Sequence, residues 1–341
     1  MKEPLFGKTL SQIREIVTNQ GLPKFTAKQI CQWLYKKDIS SIDEMTNLSK
    51  KARAALSENY VLGLTPPDKV SESADGTKKY LYPVENNRFV EAAYIPEKSR
   101  ATLCVSSQVG CRMGCRFCMT GMQGFQGNLT AGEILNQIRS LPEKDSLTNI
   151  VYMGMGEPFD NYENVIQSLE ILTSDWGFAM SPRRITVSTI GVIPAMERFL
   201  KDSECHLAVS LHTPFDDERR LLMPVQNNYP IEKVLDVIRK FDIGGQRRIS
   251  FEYIVFKNMN HSPKHIKQLA RILNGIRCRI NLIRFHPIPG SSFYSPDDET
   301  IREFMDALNK KGIRTTLRAS RGQDIEAACG LLSTKELRRS N

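Results

Sequence analysis

Residues 101–118 read Ala-Thr-Leu-Cys-Val-Ser-Ser-Gln-Val-Gly-Cys-Arg-Met-Gly-Cys-Arg-Phe-Cys, and this stretch decides the fold. It begins as a β-rich run over 101–109 and continues directly into Cys111, Cys115 and Cys118, with the spacing C-x3-C-x2-C. Soft thiolate sulfurs favour iron–sulfur clusters or zinc. A strand that leads straight into such a loop predicts a ligand site at the carboxyl end of a strand, where α/β barrels place theirs.

The rest of the chain after residue 101 repeats a strand–helix rhythm. Further β-rich runs occupy 149–153, 184–188, 206–211, 249–255, 279–285 and 314–319. Helical patterns lie between most of them, at 131–141, 162–173, 231–241, 263–274 and 298–311. Strands that alternate with helices predict a parallel α/β sheet, because each crossover passes over a sheet face. About six such units favour a complete or partial barrel.

Polar and glycine-rich clusters follow these strand runs directly. They occupy 110–118, 154–158, 188–189, 210–212 and 286–287. Because the carboxyl ends of parallel strands meet at one end of a barrel, we expect all of them to gather around one cavity.

The first hundred residues have a different character, which predicts two further regions. Residues 1–64 form a helical domain, with helices over 10–20, after a cap at Thr26, and from Ser49. Residues 65–100 form a β linker, in which a turn at 74–77 and runs at 77–82 and 88–95 predict a hairpin. The barrel core then spans 101–341.

Composition narrows the class of protein. The 341 residues are 40% hydrophobic and 25% charged, which is enough for a core, and no apolar run approaches the roughly 18 residues of a membrane span. The N-terminus lacks the pattern of a secretory signal, so we expect a cytoplasmic protein whose eight cysteines stay reduced. The net charge of +9 favours a polyanionic partner such as nucleic acid.

The cysteine loop leaves three interpretations open. A structural zinc site normally has four protein ligands, and the next cysteine or histidine after Cys118 is Cys205, followed by His206. Three ligands would instead leave one iron of a four-iron cluster open to an external group. A zinc site completed from elsewhere and a set of unrelated buried thiols are the alternatives.

The three-cysteine pattern resembles the radical S-adenosylmethionine (SAM) superfamily, and further motifs resemble its RlmN/Cfr family of RNA methyltransferases. These motifs are ATLCVSSQVGC (101–111), MGMGEP (153–158), VST (187–189), LAVSLH (207–212), GQDIEAACG (322–330), FTAKQI (25–30), WLY (33–35) and DEMTNLS (43–49). The resemblance covers nearly the whole chain. It implies a partial (β/α)6-type radical SAM barrel with an N-terminal all-helical accessory domain that binds RNA, one [4Fe-4S] cluster, and SAM.

The resemblance also implies the reaction. In the RlmN branch, a first SAM methylates a cysteine, and a second SAM yields a radical that takes hydrogen from that methyl group. The carbon radical adds to C2 of an adenine, and a second cysteine resolves the thioether by forming a disulfide. By motif, Cys329 is the methyl carrier and Cys104 the resolving thiol. Glu91 is the expected base, because a carboxylate among apolar neighbours has a raised pKa.

The SAM contacts implied by the resemblance are Gly156, Glu157, Ser188, Ser210, Leu211, His212 and His286. Glycine at 156 permits close backbone approach, and the Glu157 carboxylate can pair with the methionyl ammonium. The run Arg-Phe-His-Pro over 284–287 departs from the family, which usually has an asparagine there. Imidazole lacks the paired donor and acceptor of an amide, so His286 is the least secure contact.

The expected partners are 23S rRNA, tRNA, and an electron donor such as flavodoxin, with the chain acting as a monomer and without a membrane. One alternative is a Cfr-type enzyme that methylates C8 of adenine, although Pro158 favours C2. An alternative of another class is a zinc-stabilised RNA-binding protein without catalysis. Paired bases at 78–79, 183–184, 219–220, 247–248, 310–311 and 338–339 are candidates for phosphate contacts.

Overall fold

The computed structural model describes residues 2–241, 244 and 246–334. Its N-terminal unit contains three α-helices. Two short strands, one near each end of the unit, pair in parallel. The elements are β1 (Glu3–Pro4), α1 (Leu10–Asn19), α2 (Thr26–Lys36), α3 (Lys50–Asn59) and β2 (Tyr60–Val61). Thr9 caps α1 through a reciprocal capping box with Gln12, and Ser49 caps α3 by accepting the N–H of Ala52. The second helix begins at Thr26 itself, with Phe25 at the cap position.

The following segment forms an antiparallel meander. Its strands are β3 (Lys69–Glu72), β4 (Lys78–Val84) and β5 (Arg88–Glu97). The hairpin expected from the sequence is present as β4 and β5. The strand β3 is an addition, and all four of its residues are exposed, so it carries no alternation of apolar and polar residues that would predict it.

The remaining elements form the barrel and its connections. They are β6 (Arg100–Cys104), β7 (Gln108–Val109), α4 (Met119–Gln123), β8 (Gly127–Asn128), α5 (Ala131–Arg139), β9 (Asn149–Tyr152), α6 (Tyr162–Thr173), β10 (Ile185–Thr189), α7 (Ile193–Asp202), β11 (His206–Ser210), α8 (Asp216–Leu222), α9 (Ile231–Lys240), β12 (Ile249–Val255), α10 (Pro263–Ile272), β13 (Cys278–Arg284), α11 (Asp298–Lys310) and β14 (Thr315–Leu317).

Within the described residues, one sheet of ten strands runs in the order β14-β13-β12-β11-β10-β9-β6-β5-β4-β3. The strands from β6 to β14 in this sheet pair in parallel and are joined by helices, whereas β5 pairs antiparallel with β6 and extends the sheet. The two outer strands of this order do not pair with each other, so the barrel is partial. The predicted α/β class and partial barrel are confirmed.

The first predicted strand is interrupted. The expected run over 101–109 divides into β6 and β7 because the chain leaves the sheet at two buried serines. Ser106 donates its hydroxyl hydrogen to the carbonyl of Glu91 and accepts the N–H of Met155, and this exchange replaces the ladder bonds of a continuing strand.

The N-terminal unit shares its core with the barrel. Tyr35 of α2 packs its ring against Trp176 and Phe178, with ring centroids 6.0 and 5.8 Å away. Gly7 approaches Gly132 so closely that a Cβ on Gly7 would lie 2.4 Å from the Gly132 Cα. The unit is therefore packed directly onto the outer helices of the barrel.

In the part of the chain that the structure describes, no helix combines the length and the apolar character needed to cross a membrane.

Candidate active site

The three clustered cysteines lie on the loop that leaves β7, and all three line one cavity of about 160 Å³. The N–H of Cys111 bonds to the carbonyl of Gly124 at 3.2 Å, and the N–H of Cys118 bonds to that of Cys115 at 3.2 Å. Gly110 makes this turn possible, because it has φ 70° and a Cβ there would lie 1.7 Å from the Gly124 oxygen. The backbone thus bends three thiols toward the same space.

The donor set fits a four-iron cluster. Among the described residues, no three His, Cys, Asp or Glu side chains converge closely enough for a single metal ion. A single tetrahedral zinc needs sulfurs about 3.8 Å apart, whereas in a cubane each cysteine binds a different iron and the sulfurs are spread around a larger body. Three half-buried thiols that line one cavity match the second arrangement.

Burial changes the pKa values of these three thiols. It raises the pKa of Cys111 to about 12 and raises the pKa of Cys118 and Cys115 as well. The thiolate is the form that binds metal, so a metal bound by these cysteines would displace their protons.

Gly156 and Glu157 lie at the carboxyl end of β9 and border the same cavity. Gly156 has φ 98°, and a Cβ there would lie 2.5 Å from the Gln108 Cβ. The Glu157 carboxylate is buried and accepts the N–H groups of Phe159 at 3.1 Å and Ile190 at 2.8 Å. Burial raises its pKa to about 7, so a cation in the cavity would stabilise the ionised form.

Ser188, Ser210 and His212 line the cavity at the ends of β10 and β11. His212 is buried with φ 59°, and its Nδ1 accepts the N–H of Ile254 at 3.0 Å. Burial lowers its pKa to about 3, so the ring stays neutral. Its ring edge contacts Phe117 in the cysteine loop, with centroids 4.7 Å apart, and so joins the cluster loop to the strand ends.

Two expected SAM contacts lie outside the lining of this cavity. Leu211 is fully buried in the main apolar core. His286 lines two neighbouring cavities instead, one of them together with Cys329. The other five expected SAM contacts line the cluster cavity together, whereas Leu211 and His286 do not line it.

Cys104 and Cys329 are far apart in sequence and line one larger cavity of about 600 Å³, which Cys118 also lines. Cys329 lines the cluster cavity as well. Burial raises the pKa of Cys104 to about 12, and the nearby Cys329 contributes to that rise. All eight cysteines are free, so the disulfide expected from the resemblance is not a feature of this state.

Glu91 lies on β5, on the same sheet face as Cys104, because Ala93 pairs with Cys104 and side chains two residues apart share a face. The carboxylate is buried, forms an ion pair with Lys79 at 3.0 Å and accepts the N–H of Ser333 at 2.8 Å. Burial raises its pKa, against the opposing effect of Lys79. It does not line either cavity next to the two thiols.

Sequence reasoning missed a buried ion pair between these cavities. Arg318 contacts Glu252 at 3.4 Å, and Glu252 also accepts hydrogen bonds from Asn281 at 2.7 Å and Ser250 at 3.0 Å. Arg318 in turn lowers the pKa of the neighbouring Cys104. No local motif marks either residue, since the pair forms only because β12 and β14 flank β13 in the sheet.

A second missed residue is Arg219, which is fully buried behind the cysteine loop. Its guanidinium donates to the carbonyls of Ile190 and Ser210 at 2.8 and 3.1 Å, and to Gln226 at 2.5 Å. It holds together the two strand ends that border the cavity. The sequence shows it only as one of several paired bases.

Comparison with known proteins gives two family matches. Residues 105–270 match the radical SAM superfamily, and residues 4–62 match the ribosomal RNA large subunit methyltransferase N-terminal domain.

Similar full-length proteins cover nearly the whole chain. A probable dual-specificity RNA methyltransferase RlmN of Parabacteroides distasonis is 56% identical over 333 residues, covering 98% of this chain and 97% of that protein. The dual-specificity RNA methyltransferase RlmN of Syntrophus aciditrophicus is 44% identical, with 96% of each chain covered. A crystal structure of a radical SAM methyltransferase from Sphaerobacter thermophilus has a TM-score of 0.90 and 39% identity, covering 97% of this chain and 99% of that one.

Proposed function

The chain belongs to the RlmN family of radical SAM RNA methyltransferases, and from that membership we propose that it forms 2-methyladenosine in both 23S rRNA and tRNA. The enzyme uses a [4Fe-4S] cluster and SAM, as its superfamily does. The observation that carries the proposal is that Cys104 and Cys329 share one cavity, which Cys118 of the cluster loop also lines. C2 of adenine is electron-poor and does not attack the SAM methyl group directly, and the mechanism implied by the family resemblance uses two thiols besides the cluster ligands.

Cys111, Cys115 and Cys118 are the proposed cluster ligands, and Gly156, Glu157, Ser188, Ser210 and His212 border the space for SAM. When bound, the cluster and SAM supply a 5′-deoxyadenosyl radical by one-electron cleavage of SAM. The buried Glu157 carboxylate and the close approach of backbone at Gly156 suit the ammonium and carboxylate end of an amino acid. Leu211 and His286 stay weaker candidates, because neither lines that space.

Cys329 carries the methyl group on its Sγ in this proposal. After that group loses a hydrogen atom to the 5′-deoxyadenosyl radical, its carbon forms a bond to C2 of the adenine. The adduct then loses the C2 proton to a base and one electron to an oxidised external carrier of the flavodoxin type. Glu91 is the proposed base, since burial raises the pKa of its carboxyl group. Lys79 at 3.0 Å can compensate the charge of the carboxylate before the proton arrives.

Cys104 completes the proposed turnover. Its thiolate attacks the Sγ of Cys329, a sulfur–sulfur bond forms, and the bond from Sγ to the methylene carbon breaks. The electron pair stays on that carbon, which takes a proton to become the methyl group of the product. Arg318 opposes the effect of burial on the pKa of Cys104 and so favours the thiolate. Reduction of the disulfide by an external thiol returns the enzyme to its starting state.

The domain limits 1–64, 65–100 and 101–341 remain predictions from the change in sequence pattern. A monomeric state, a flavodoxin-type electron donor, and action in the cytoplasm, where both RNA substrates occur, complete the proposal.

The test is mass spectrometry of adenosines from a 23S rRNA fragment and from a tRNA. Each RNA is incubated with the reconstituted enzyme, SAM and a reductant, and the Cys329→Ala variant is the matched control. The proposal expects 2-methyladenosine in both RNAs with the wild type and none with the variant. A C8-methylated product would identify a Cfr-type enzyme instead, and the absence of any product with a verified cluster would refute the RNA assignment.

A further inference from the structure

The larger cavity runs through the barrel from the cluster loop to the amino ends of the strands. Cys118 and Gly154 line it at the first end, and residues at or near the beginnings of the parallel strands line it at the second: Thr102, Asn149, Thr186, His206, Ser250, Arg279 and Thr316. The cluster cavity is lined instead by residues from the ends of those strands, such as Ser188 and Ser210. The larger cavity therefore extends to the amino end of the barrel, and Cys104 and Cys329 both line it.

The lining of the larger cavity carries a strong excess of positive charge. Within the described residues, six arginines line this cavity against two carboxylates: Arg100, Arg183, Arg248, Arg279, Arg318, Arg321, Glu97 and Glu252. Both carboxylates are already paired, Glu97 with Arg100 at 2.6 Å and Glu252 with Arg318 at 3.4 Å. We name the other three rim arginines that come from strand beginnings, Arg183, Arg248 and Arg279, the arginine rim.

Other groups at the arginine rim are affected by this positive charge. Burial, together with repulsion of the protonated form by Arg248 and Arg279, lowers the pKa of His206 to about 4. Burial also lowers the pKa of Arg279, and Arg248 and Arg314 add to this effect. Like charges held together in this way favour a polyanion that neutralises them.

The arginine rim and the two reacting thiols line the same cavity. Cys104 is two residues beyond Thr102 on β6, which is about 7 Å along a strand. Cys329 lines the same cavity. A nucleotide whose phosphates lie on the arginine rim could therefore extend its unstacked base to Cys329, since enzymes that act on a base take it out of the stack.

We propose that the arginine rim binds the RNA backbone and that the target adenine enters the barrel from the amino ends of its strands, opposite the SAM side. This inference rests on the proposed function and adds the site and direction of RNA entry. Arginine suits the role because its planar guanidinium binds phosphate oxygens in pairs.

The experiment compares RNA binding by Arg248→Ala/Arg279→Ala with that of the wild type at several salt concentrations. Two probes are used, a tRNA transcript and a single-stranded oligouridylate. We expect weaker binding to both probes, because phosphate contacts carry no sequence information. The slope of log affinity against log salt should fall by about 1.4 in magnitude for two lost contacts to single-stranded RNA.

Two further variants distinguish a loss of specific phosphate contacts from a general loss of positive charge or of folding. Lys267→Ala/Arg271→Ala removes the same charge from exposed positions of α10 and should leave the slope unchanged. Arg248→Lys/Arg279→Lys keeps the charge and should restore most of the slope, while thermal unfolding midpoints check that all variants fold.

Three results would overturn the proposal. They are equal slopes for the alanine variant and the wild type, an equal loss in the α10 control, and a wild type that binds neither probe. The first two would leave the proposed function intact, because the wild type would still bind and methylate RNA. The third would contradict the proposed function as well.

Discussion

At the scale of the residue, burial sets the chemistry of this site. Burial raises the pKa values of Glu91, Glu157 and Cys104. For each group, either a positively charged neighbour or hydrogen bonds to the carboxylate limit the rise. Glu91 has Lys79, and Cys104 has Arg318. Groups balanced in this way can change protonation state during a reaction, which is what a base and a resolving thiol must do.

The resolving role of Cys104 predicts a trapped intermediate. In Cys104→Ala, the thioether between Cys329 and the adenine should persist, because no thiolate remains to break it. We expect methylated RNA to fall at least about 100-fold, as for other groups directly involved in catalysis, and a nuclease-sensitive protein–RNA adduct to appear on a denaturing gel. The double variant with Cys329→Ala should form no adduct. An adduct in that double variant, or normal turnover by Cys104→Ala, would contradict the assignment.

His206 predicts a pH dependence of stability. Its Nδ1 accepts the N–H of Arg248 at 3.1 Å, and its folded pKa of about 4 is below the ordinary value of 6.5. The unfolded chain therefore takes up a proton on this residue below pH 6.5 while the folded protein does not, so stability decreases as the pH falls from 6.5 toward 4. Because His206 lines the large cavity, where its charge is partly screened, we expect the loss to be about 1–2 kcal/mol.

Urea unfolding of the wild type and His206→Asn at pH 7 and pH 5 measures this effect. The asparagine side chain can still accept the Arg248 N–H but does not titrate, so the variant should lose less stability between the two pH values. Equal losses in the two proteins would show that His206 is not responsible.

At the scale of the element, the cysteine loop depends on one backbone conformation. Gly110→Ala should prevent that conformation, because its Cβ would collide with the Gly124 oxygen in addition to the strain of a positive φ. We expect the loop to shift and iron and sulfide to fall well below the content of the reconstituted wild type. Iron and sulfide analysis, together with the visible absorbance of the cluster, measures the result.

Gly124→Ala is the matched control for this change. Gly124 has φ 78°, but nothing lies within 4 Å of a Cβ placed there. The Gly124→Ala variant introduces the backbone strain of a positive φ, about 1 kcal/mol, without a steric collision. It should therefore retain most of the iron. Equal iron content in both variants would mean that the close approach at Gly110 is unimportant.

At the scale of the whole molecule, the N-terminal unit and the barrel share one apolar core. Tyr35→Ala should therefore lower the stability of both, by about 3–5 kcal/mol for a large buried aromatic side chain. Tyr35 also donates its hydroxyl hydrogen to the Lys8 carbonyl at 2.5 Å. Scanning calorimetry should show a single transition that moves to lower temperature. Tyr294→Ala, at an exposed tyrosine, should leave it nearly unchanged. A separate small transition that moves alone would indicate two independent folding units.

The sequence predicted most helices and strands but missed α4, α7 and α8. The first and last are short, with five and seven residues, and in so few turns the apolar period is hard to distinguish from a loop. The interrupted strand at Ser106 was also missed, because its reason is a bond to Glu91 on another strand.

The sequence alone determined the family, and the proposed cluster ligands and the two proposed catalytic thiols also come from it, because these depend on local spacing and on motifs. Only the tertiary structure decided which residues meet. It placed Cys104 beside Cys329, paired Arg318 with Glu252, buried Arg219 behind the cluster loop, and collected the arginine rim from strands far apart in the chain. Such contacts depend on how the strands align around the barrel, and the spacing of residues within one stretch of sequence does not predict that alignment.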